Sequence, residues 1–304
     1  MRIALLALAI VGCHRHDDAG ATDDSALDDS APVDDINADP EVHTYLPDSF
    51  DDAAPSRVIF LGDSITAGYG NTEDSLAYTA LLQHNDADAW PGYDDEDLDS
   101  LYPDLSEVID VSRGGATTSS LVRTQLGQVE DQLSMPAAGP SLVVMTIAGN
   151  DMQELIFNED ETDAKLAEVL DNLTETMAFF QDPDRFPDGT RVYIANVYEP
   201  SDGVGQADSC FYSLDLNGVL SALLENNQNT RALAEELGFA WVDMYGHFLG
   251  HGYYSEDETN PYYDAEDPSL WFASDCIHPN DRGHHEVRRL FMAAIRGEPL
   301  ALEE

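Results

Sequence analysis

The first residue with the makings of a nucleophile is Ser64. It lies in Gly62-Asp63-Ser64-Ile65-Thr66-Ala67-Gly68-Tyr69-Gly70, directly after the apolar run Arg57 to Leu61. A Ser on a strand-to-helix turn is exposed to ligand, and a following helix N-terminus would favour negative charge beside it. The segment is not a Gly-x-Ser-x-Gly elbow, because Thr66 holds the second glycine position. A serine hydroxyl needs a base to attack a carbonyl, and Asp275-Cys276-Ile277-His278-Pro279-Asn280 near the far end offers one. Asp275 and His278 are three apart, so one turn lets the carboxylate hold an imidazole nitrogen and leave the other to accept a proton from Ser64. The chemistry such a set performs is acyl transfer.

The elements that must position these residues are legible as alternation. Short apolar runs at Arg57 to Leu61, Val108 to Val111, Leu142 to Ile147, Arg191 to Val197 and Ala240 to Asp243 read as strands. Helical patterns fall between them, at about Ser75 to Asn85, Ser119 to Leu133, Asp163 to Gln181 and Leu216 to Leu237, with a last one from Gly283 to Arg296. In Asp163 to Gln181, Leu166, Val169, Leu170, Leu173, Met177 and Phe180 line one helical face. Strands alternating with helices predict a three-layer α/β/α sandwich on a flavodoxin-like, five-stranded parallel sheet, with right-handed crossovers and ligands at the carboxyl ends of the strands. Two long stretches interrupt the scheme: the acidic, aromatic Asp86 to Leu105, and Gly246 to Ser274. Connections of that length often carry function, and the second could line a substrate cleft or form a lid.

With these blocks in order, the chain resembles an SGNH hydrolase of the GDSL esterase/lipase superfamily. Gly62-Asp63-Ser64-Ile65 is similar to the nucleophile block and Val108 to Thr117, with Gly114-Gly115, to the second block. Ala148-Gly149-Asn150-Asp151 matches the third and Asp275 to His278 the fifth. The resemblance spans about residues 57 to 297. It implies that Ser64 is the nucleophile, His278 the general base and then acid, and Asp275 the residue that orients it. It further implies an oxyanion hole of the Ser64 N–H, the Gly115 N–H and the Asn150 amide. Gly115 rather than Gly114 is chosen by its place before Ala116-Thr117. Ala148 departs from the pattern, standing where many members carry glycine. Asp63 and Asp151 are expected to hold loops by accepting backbone N–H groups. The implied activity is hydrolysis of acyl esters, as a carboxylesterase or lipase, a carbohydrate acetylesterase or a thioesterase, with no cofactor.

Two other classes compete. Asp243, His247 and His251 recur every four residues, and His278, His284 and His285 follow, a spacing that could hold a metal on a helix. Gly246, Gly250 and Gly252 argue against a helix there, and a serine mechanism needs no metal. Calcium at the acids of Asp86 to Leu105 lacks the Asp-x-Asp-x-Asp-Gly spacing. A non-catalytic surface binding protein is the other alternative, but it has no reason to assemble Ser, Gly, Asn, Asp and His.

Composition sets the surroundings. The 304 residues carry 60 Asp+Glu against 13 Lys+Arg, a net charge of -47, and Lys165 is the only lysine. Such a chain repels nucleic acid and anionic lipid surfaces. It suits either concentrated salt or simple solubility. Residues 1–53 hold 13 of the acids and two arginines, so about three quarters of the excess belongs to the remainder. Arg2, the apolar run Ile3 to Val11 and Gly12-Cys13 have the layout of a signal peptide over residues 1–12, and Ile10-Val11-Gly12-Cys13 resembles a bacterial lipobox with lipidation at Cys13. Residues 13–53, which repeat Asp-Asp-Ser-Ala, read as a disordered acidic tether, and 54–304 as the hydrolase domain. The expectation is an exported monomer, either lipid-anchored to the cell envelope at the outer membrane and otherwise free of membrane, or extracellular, with Cys210 and Cys276 as a candidate disulfide.

Overall fold

The computed structural model describes residues 43–48, 53–207, 214–215 and 217–300. Its centre is a parallel sheet of β1 (Arg57–Gly62), β2 (Glu107–Asp110), β3 (Ser141–Thr146), β4 (Thr190–Ala195) and β5 (Ala240–Val242). The order across it is β2-β1-β3-β4-β5, the flavodoxin-like arrangement expected from the alternation. The helices are α1 (Tyr78–Gln83), α2 (residues 118–132), α3 (Gly149–Glu154), α4 (Thr162–Phe180), α5 (Asn217–Leu237) and α6 (Asp281–Arg296).

Strand periodicity sends alternate side chains to two cores. Ile59 and Leu61 of β1, Val143 and Met145 of β3, and Trp241 of β5 pack with Leu126 and Val129 of α2, Leu166 and Val169 of α4, and Leu223 of α5. Val58, Phe60, Leu142, Val144 and Val242 point the other way, against Tyr78 and Leu82 of α1 and Val287, Leu290 and Phe291 of α6. A sheet covered on both faces reads as continuous apolar runs, which is why β1 and β3 were conspicuous in the sequence. From β1 the chain crosses over α1 to β2, then back over α2 on the opposite face to β3. Crossovers in opposite directions on opposite faces share one hand, and the reversal leaves a crevice between β1 and β3 at the carboxyl edge.

Several details differ from the sequence expectation. Residues 43–48, read as tether, lie against the sheet: Tyr45 N–H donates to the Trp241 carbonyl at 2.8 Å, and Trp241 N–H returns a bond to Tyr45 at 3.0 Å. An extended segment with polar flanks was indistinguishable from linker, yet it satisfies the open edge of β5. Met244–Phe248 forms a short helix despite Gly246, because Asp243 caps it through the Gly246 N–H at 3.0 Å. Within α2, Leu121–Gln125 takes wider π-type turns.

That wider stretch carries Gln125, whose side-chain amide pairs with both backbone groups of Gly62, each at 2.8 Å. Gly62 itself sits at φ +120, and a Cβ there would meet the Thr146 carbonyl at 2.0 Å, so only glycine fits the end of β1. Gln125 therefore completes the last rung of β1 just before Ser64. Replacing it by Leu leaves the buried Gly62 N–H without its acceptor, and urea unfolding should show a loss of about 1–3 kcal/mol; a loss under about 0.5 kcal/mol would contradict this role.

Candidate active site

Ser64 follows β1 in a series of tight turns rather than at the start of a helix, which corrects the expected strand-to-helix junction. Ala67 N–H bonds the Asp63 carbonyl at 3.0 Å, and Tyr69 N–H bonds that of Ser64 at 2.9 Å. The turn needs its own supports. Asp63, buried as expected of a loop-holding carboxylate, accepts from the Ile65 N–H at 3.0 Å and from Thr146 Oγ1 at 2.9 Å. Thr66 Oγ1 lies 2.8 Å from Thr146 Oγ1 and 2.9 Å from the Tyr78 hydroxyl, which ties the turn to β3 and α1.

The other loop brings His278 to Ser64. His278 Nε2 is 2.8 Å from Ser64 Oγ, and His278 Nδ1 is 2.6 Å from Asp275 Oδ2. Asp275 Oδ1 also accepts the N–H groups of Ile277 and His278, both at 3.0 Å. Burial pushes the Asp275 carboxyl up, but these hydrogen bonds from His278 and the backbone outweigh it and hold it below the usual carboxylate range. A close approach at Gly70 lets the two loops meet, since a Cβ there would lie 2.2 Å from the Pro279 carbonyl and 2.7 Å from His278 Cβ. Tyr69, about half exposed, places its ring 5.5 Å from that of His278.

The remaining expected residues converge on the same edge. Asn150, at the start of α3, donates from Nδ2 to the Ala116 carbonyl at 2.9 Å, joining it to the loop that holds Gly115. One amide hydrogen serves that bond and the other is available to a ligand. Asp151 accepts from the Thr118 N–H and Oγ1, each at 2.9 Å, and so locks α3 to the start of α2. Ala148 stands at φ 82, a left-handed conformation that costs a non-glycine residue about 1–2 kcal/mol. Ser64 and Asn150 share the lining of a cavity of about 260 Å³, whereas Gly115 lies outside that lining. Cys276 is buried at φ 65 between Asp275 and Ile277; Cys210 and Cys13 lie outside the described residues.

The histidines weighed as metal ligands are spread apart. His247 bonds Glu286 at 2.8 Å, and His251 stacks on Trp271 with ring centroids 3.4 Å apart. His284 donates from Nε2 to the Tyr69 carbonyl at 2.9 Å and accepts the Tyr78 N–H at Nδ1; its burial drives the pKa down to about 4. It is a neutral strut under the Ser64 turn that sequence reasoning assigned no such role. His285 stacks on Trp90 at 3.7 Å. Among the described residues no three His, Cys, Asp or Glu groups form a cluster that could hold a metal.

The parallel sheet in this order brings Ser64, His278 and Asp275 into one hydrogen-bonded line at its carboxyl edge, an arrangement suited to hydrolysis of ester bonds. The chain belongs to the GDSL-like lipase/acylhydrolase family, whose profile matches residues 60–286. Among solved structures, it is similar to an acetylxylan esterase from Geobacillus stearothermophilus, at 18% identity over 83% of this chain and 99% of that one, with a TM-score of 0.52. It is similar also to phospholipase A1 from Streptomyces albidoflavus NA297, at 19% identity over 81% of this chain and 100% of that one, TM-score 0.51. A gut microbial diltiazem-metabolizing enzyme, BT4096, matches at 18% identity over 81% of this chain and 48% of that one, TM-score 0.54. At such identities the likeness concerns the fold. No curated protein sequence matches the chain.

Beside Ser64, burial pushes the Asp63 carboxyl up to about 7 against the opposing hydrogen bonds from Ile65 and Thr146. An unfolded Asp titrates near 3.9, so the folded chain holds this proton more tightly. The resulting stabilisation is complete below about pH 4 and is lost as pH rises through about 7. Asp63→Asn keeps an acceptor for Ile65 and Thr146 but cannot ionise. Thermal melts from pH 4 to 8 should show the variant gaining Tm relative to wild type as pH rises, and a constant difference would refute the assignment.

Proposed function

We propose that the chain is a serine hydrolase of acyl esters working through Ser64, His278 and Asp275. The observation that carries this reading is the continuous hydrogen-bond line from Ser64 Oγ through His278 to Asp275. Ser64 Oγ attacks the acyl carbonyl carbon as His278 Nε2 takes the hydroxyl proton. Asp275 keeps Nδ1–H facing it and stabilises the imidazolium. The tetrahedral oxyanion is held by the N–H groups of Ser64 and Gly115 and by the Asn150 amide. Collapse breaks the bond to the alcohol oxygen, which leaves with the proton from His278. Water then attacks the acyl-enzyme by the same steps in reverse, giving a carboxylic acid and free Ser64.

Two substrate readings use this machinery. Small acyl groups on carbohydrate fit the open aromatic face of Tyr69 beside His278, and an acetylxylan esterase is among the structural neighbours. Longer acyl chains of lipids or thioesters fit the apolar cavity, and a phospholipase A1 is another neighbour.

A serine-directed organophosphate should label wild type stoichiometrically and leave Ser64→Ala unlabelled; labelling of neither protein would defeat the proposal. Asn150→Ala should retain labelling but lose about 10²–10³ in kcat on p-nitrophenyl esters, the scale of one lost oxyanion donor.

The proposal extends to placement. The lipobox-like Ile10-Val11-Gly12-Cys13 and the acidic tether support export and lipid anchoring at Cys13. The Cys210 and Cys276 pair supports a disulfide beside the Asp275 loop. No helix among the described residues is long and apolar enough to cross a membrane. Intact-mass spectrometry of protein from a bacterial envelope tests both at once. A chain beginning at Cys13 with added acyl mass, and gaining two hydrogens on reduction, is expected; an unmodified Met1 start with no reducible bond would overturn both.

A further inference from the structure

Resting on the reading of Ser64 as nucleophile, we propose that the acyl group of the substrate is an unbranched hydrocarbon chain of medium length, bound in the cavity between α3 and α5. Ser64 and Asn150 line this cavity, so an acyl carbonyl on Ser64 points its substituent into it. Its walls are chiefly apolar, with Ile147 past β3, Met152 of α3, Ile156 of the turn Leu155–Phe157, Val197 past β4, and Leu220 and Leu223 of α5.

Apart from the exposed Gln153 and the free amide hydrogen of Asn150 beside Ser64, the polar side chains in the same lining are engaged within the protein. Thr146 Oγ1 donates to Asp63. Asn196 donates from its amide to Asp243 at 2.8 Å and accepts the Tyr245 N–H at 2.7 Å. Glu199 accepts from the N–H groups of Ser201 and Gly203, each at 2.6 Å, and from the Ser201 hydroxyl. A hydroxylated or charged acyl group would find these partners occupied and would lose its own hydration without replacement. Hydrocarbon alone loses nothing on entry.

Size sets the length. A volume of about 260 Å³ is several times what an acetyl group fills and is of the order needed by a chain of medium length. An acetyl group would leave most of the space empty and forfeit the dispersion contacts of the lining. The net charge of -47 also favours departure of the carboxylate product once it is formed.

The test is a series of p-nitrophenyl esters from acetyl to palmitoyl on wild type, Leu220→Trp, Ile156→Trp and Ser64→Ala. For wild type, kcat/KM should rise about fourfold per added methylene up to about eight carbons and level or fall beyond about ten. A flat series, or one with acetyl best, overturns the proposal. Each Trp variant should lower the octanoyl-to-acetyl ratio of kcat/KM at least tenfold. The ratio is insensitive to a partly unfolded sample, and an unchanged ratio in both variants overturns the cavity assignment. Ser64→Ala should lose the whole series; if it retains hydrolysis, the nucleophile assignment fails, an outcome separate from a flat but Ser64-dependent series.

Discussion

The 2.8 Å contact between Ser64 Oγ and His278 Nε2 joins residues 214 apart in the chain, and much of the architecture serves to hold it. A hydrogen bond weakens steeply over a few tenths of an ångström or a few tens of degrees, so two loops must be fixed independently and to each other. On the Ser64 side the fixing is a buried polar cluster of Asp63, Thr66, Tyr78 and Thr146. On the other side Asp275 folds its own loop by accepting two backbone amides, and the Tyr198 hydroxyl holds the Ile277 carbonyl at 2.7 Å. Two further contacts couple the halves: His284 under Tyr69, and Asp281 accepting from the N–H and hydroxyl of Thr72. Bonds of this kind strengthen one another where water is excluded, and they leave the side chains at the surface of the crevice no freedom to drift.

The sheet order explains why these loops are neighbours at all. Because the chain leaves β1 in one direction and returns past it to β3, the segments after β1 and β3 diverge above the sheet and leave room between them. Ser64 stands on one lip and Asn150 on the other. The segment after β2 closes the third side through Ala116, which receives the Asn150 amide. The strained backbone at Ala148 lies in this junction. A buried methyl at φ 82 is tolerated because Ala148 packs in the core beside Ile147 and Met152, while the following residues begin α3 in the direction that aims Asn150 back across the crevice.

Much of this was legible in the sequence, for identifiable reasons. The five strands are short apolar runs separated by amphipathic helices, and burial on both faces made their signal strong. The candidate site residues sit directly after three of those runs and before the last helix, so the topology gathered them. What escaped was held by long-range polar contacts. Gln125 looks like any polar residue of an amphipathic helix until the wider π-type turns bring its amide to Gly62. His284 looks like a ligand candidate until it is found between Tyr69 and Tyr78. The docking of residues 43–48 rests on a backbone pair with Trp241, on bonds between Asp243 and His43 and Thr44, and on packing of just two apolar side chains, Tyr45 and Leu46, too short a run to read as a strand. The short helix at Met244–Phe248 won over its glycine because an aspartate cap outweighs the propensity cost over a single turn.

Several of the scarce bases of this acidic chain are used inside it, while Arg113 and Arg123 stay exposed. Arg282 and Arg289 of α6 converge on Glu286, which is fully buried and also bonds His247. Burial raises the Glu286 pKa, but His247 and the two arginines outweigh that effect and bring it down to about 2. Arg288, likewise buried, donates to the Glu96 carbonyl at 2.8 Å and so pins the acidic segment between α1 and β2 to the last helix. The exposed acids have few cations left to pair with, and their mutual repulsion weakens as salt shortens the screening length. The interior pairs are shielded from that screening by the protein around them. The charge of the surface can therefore vary in its effect with the surroundings while the framework that carries Asp275 and His278 keeps its own electrostatic balance.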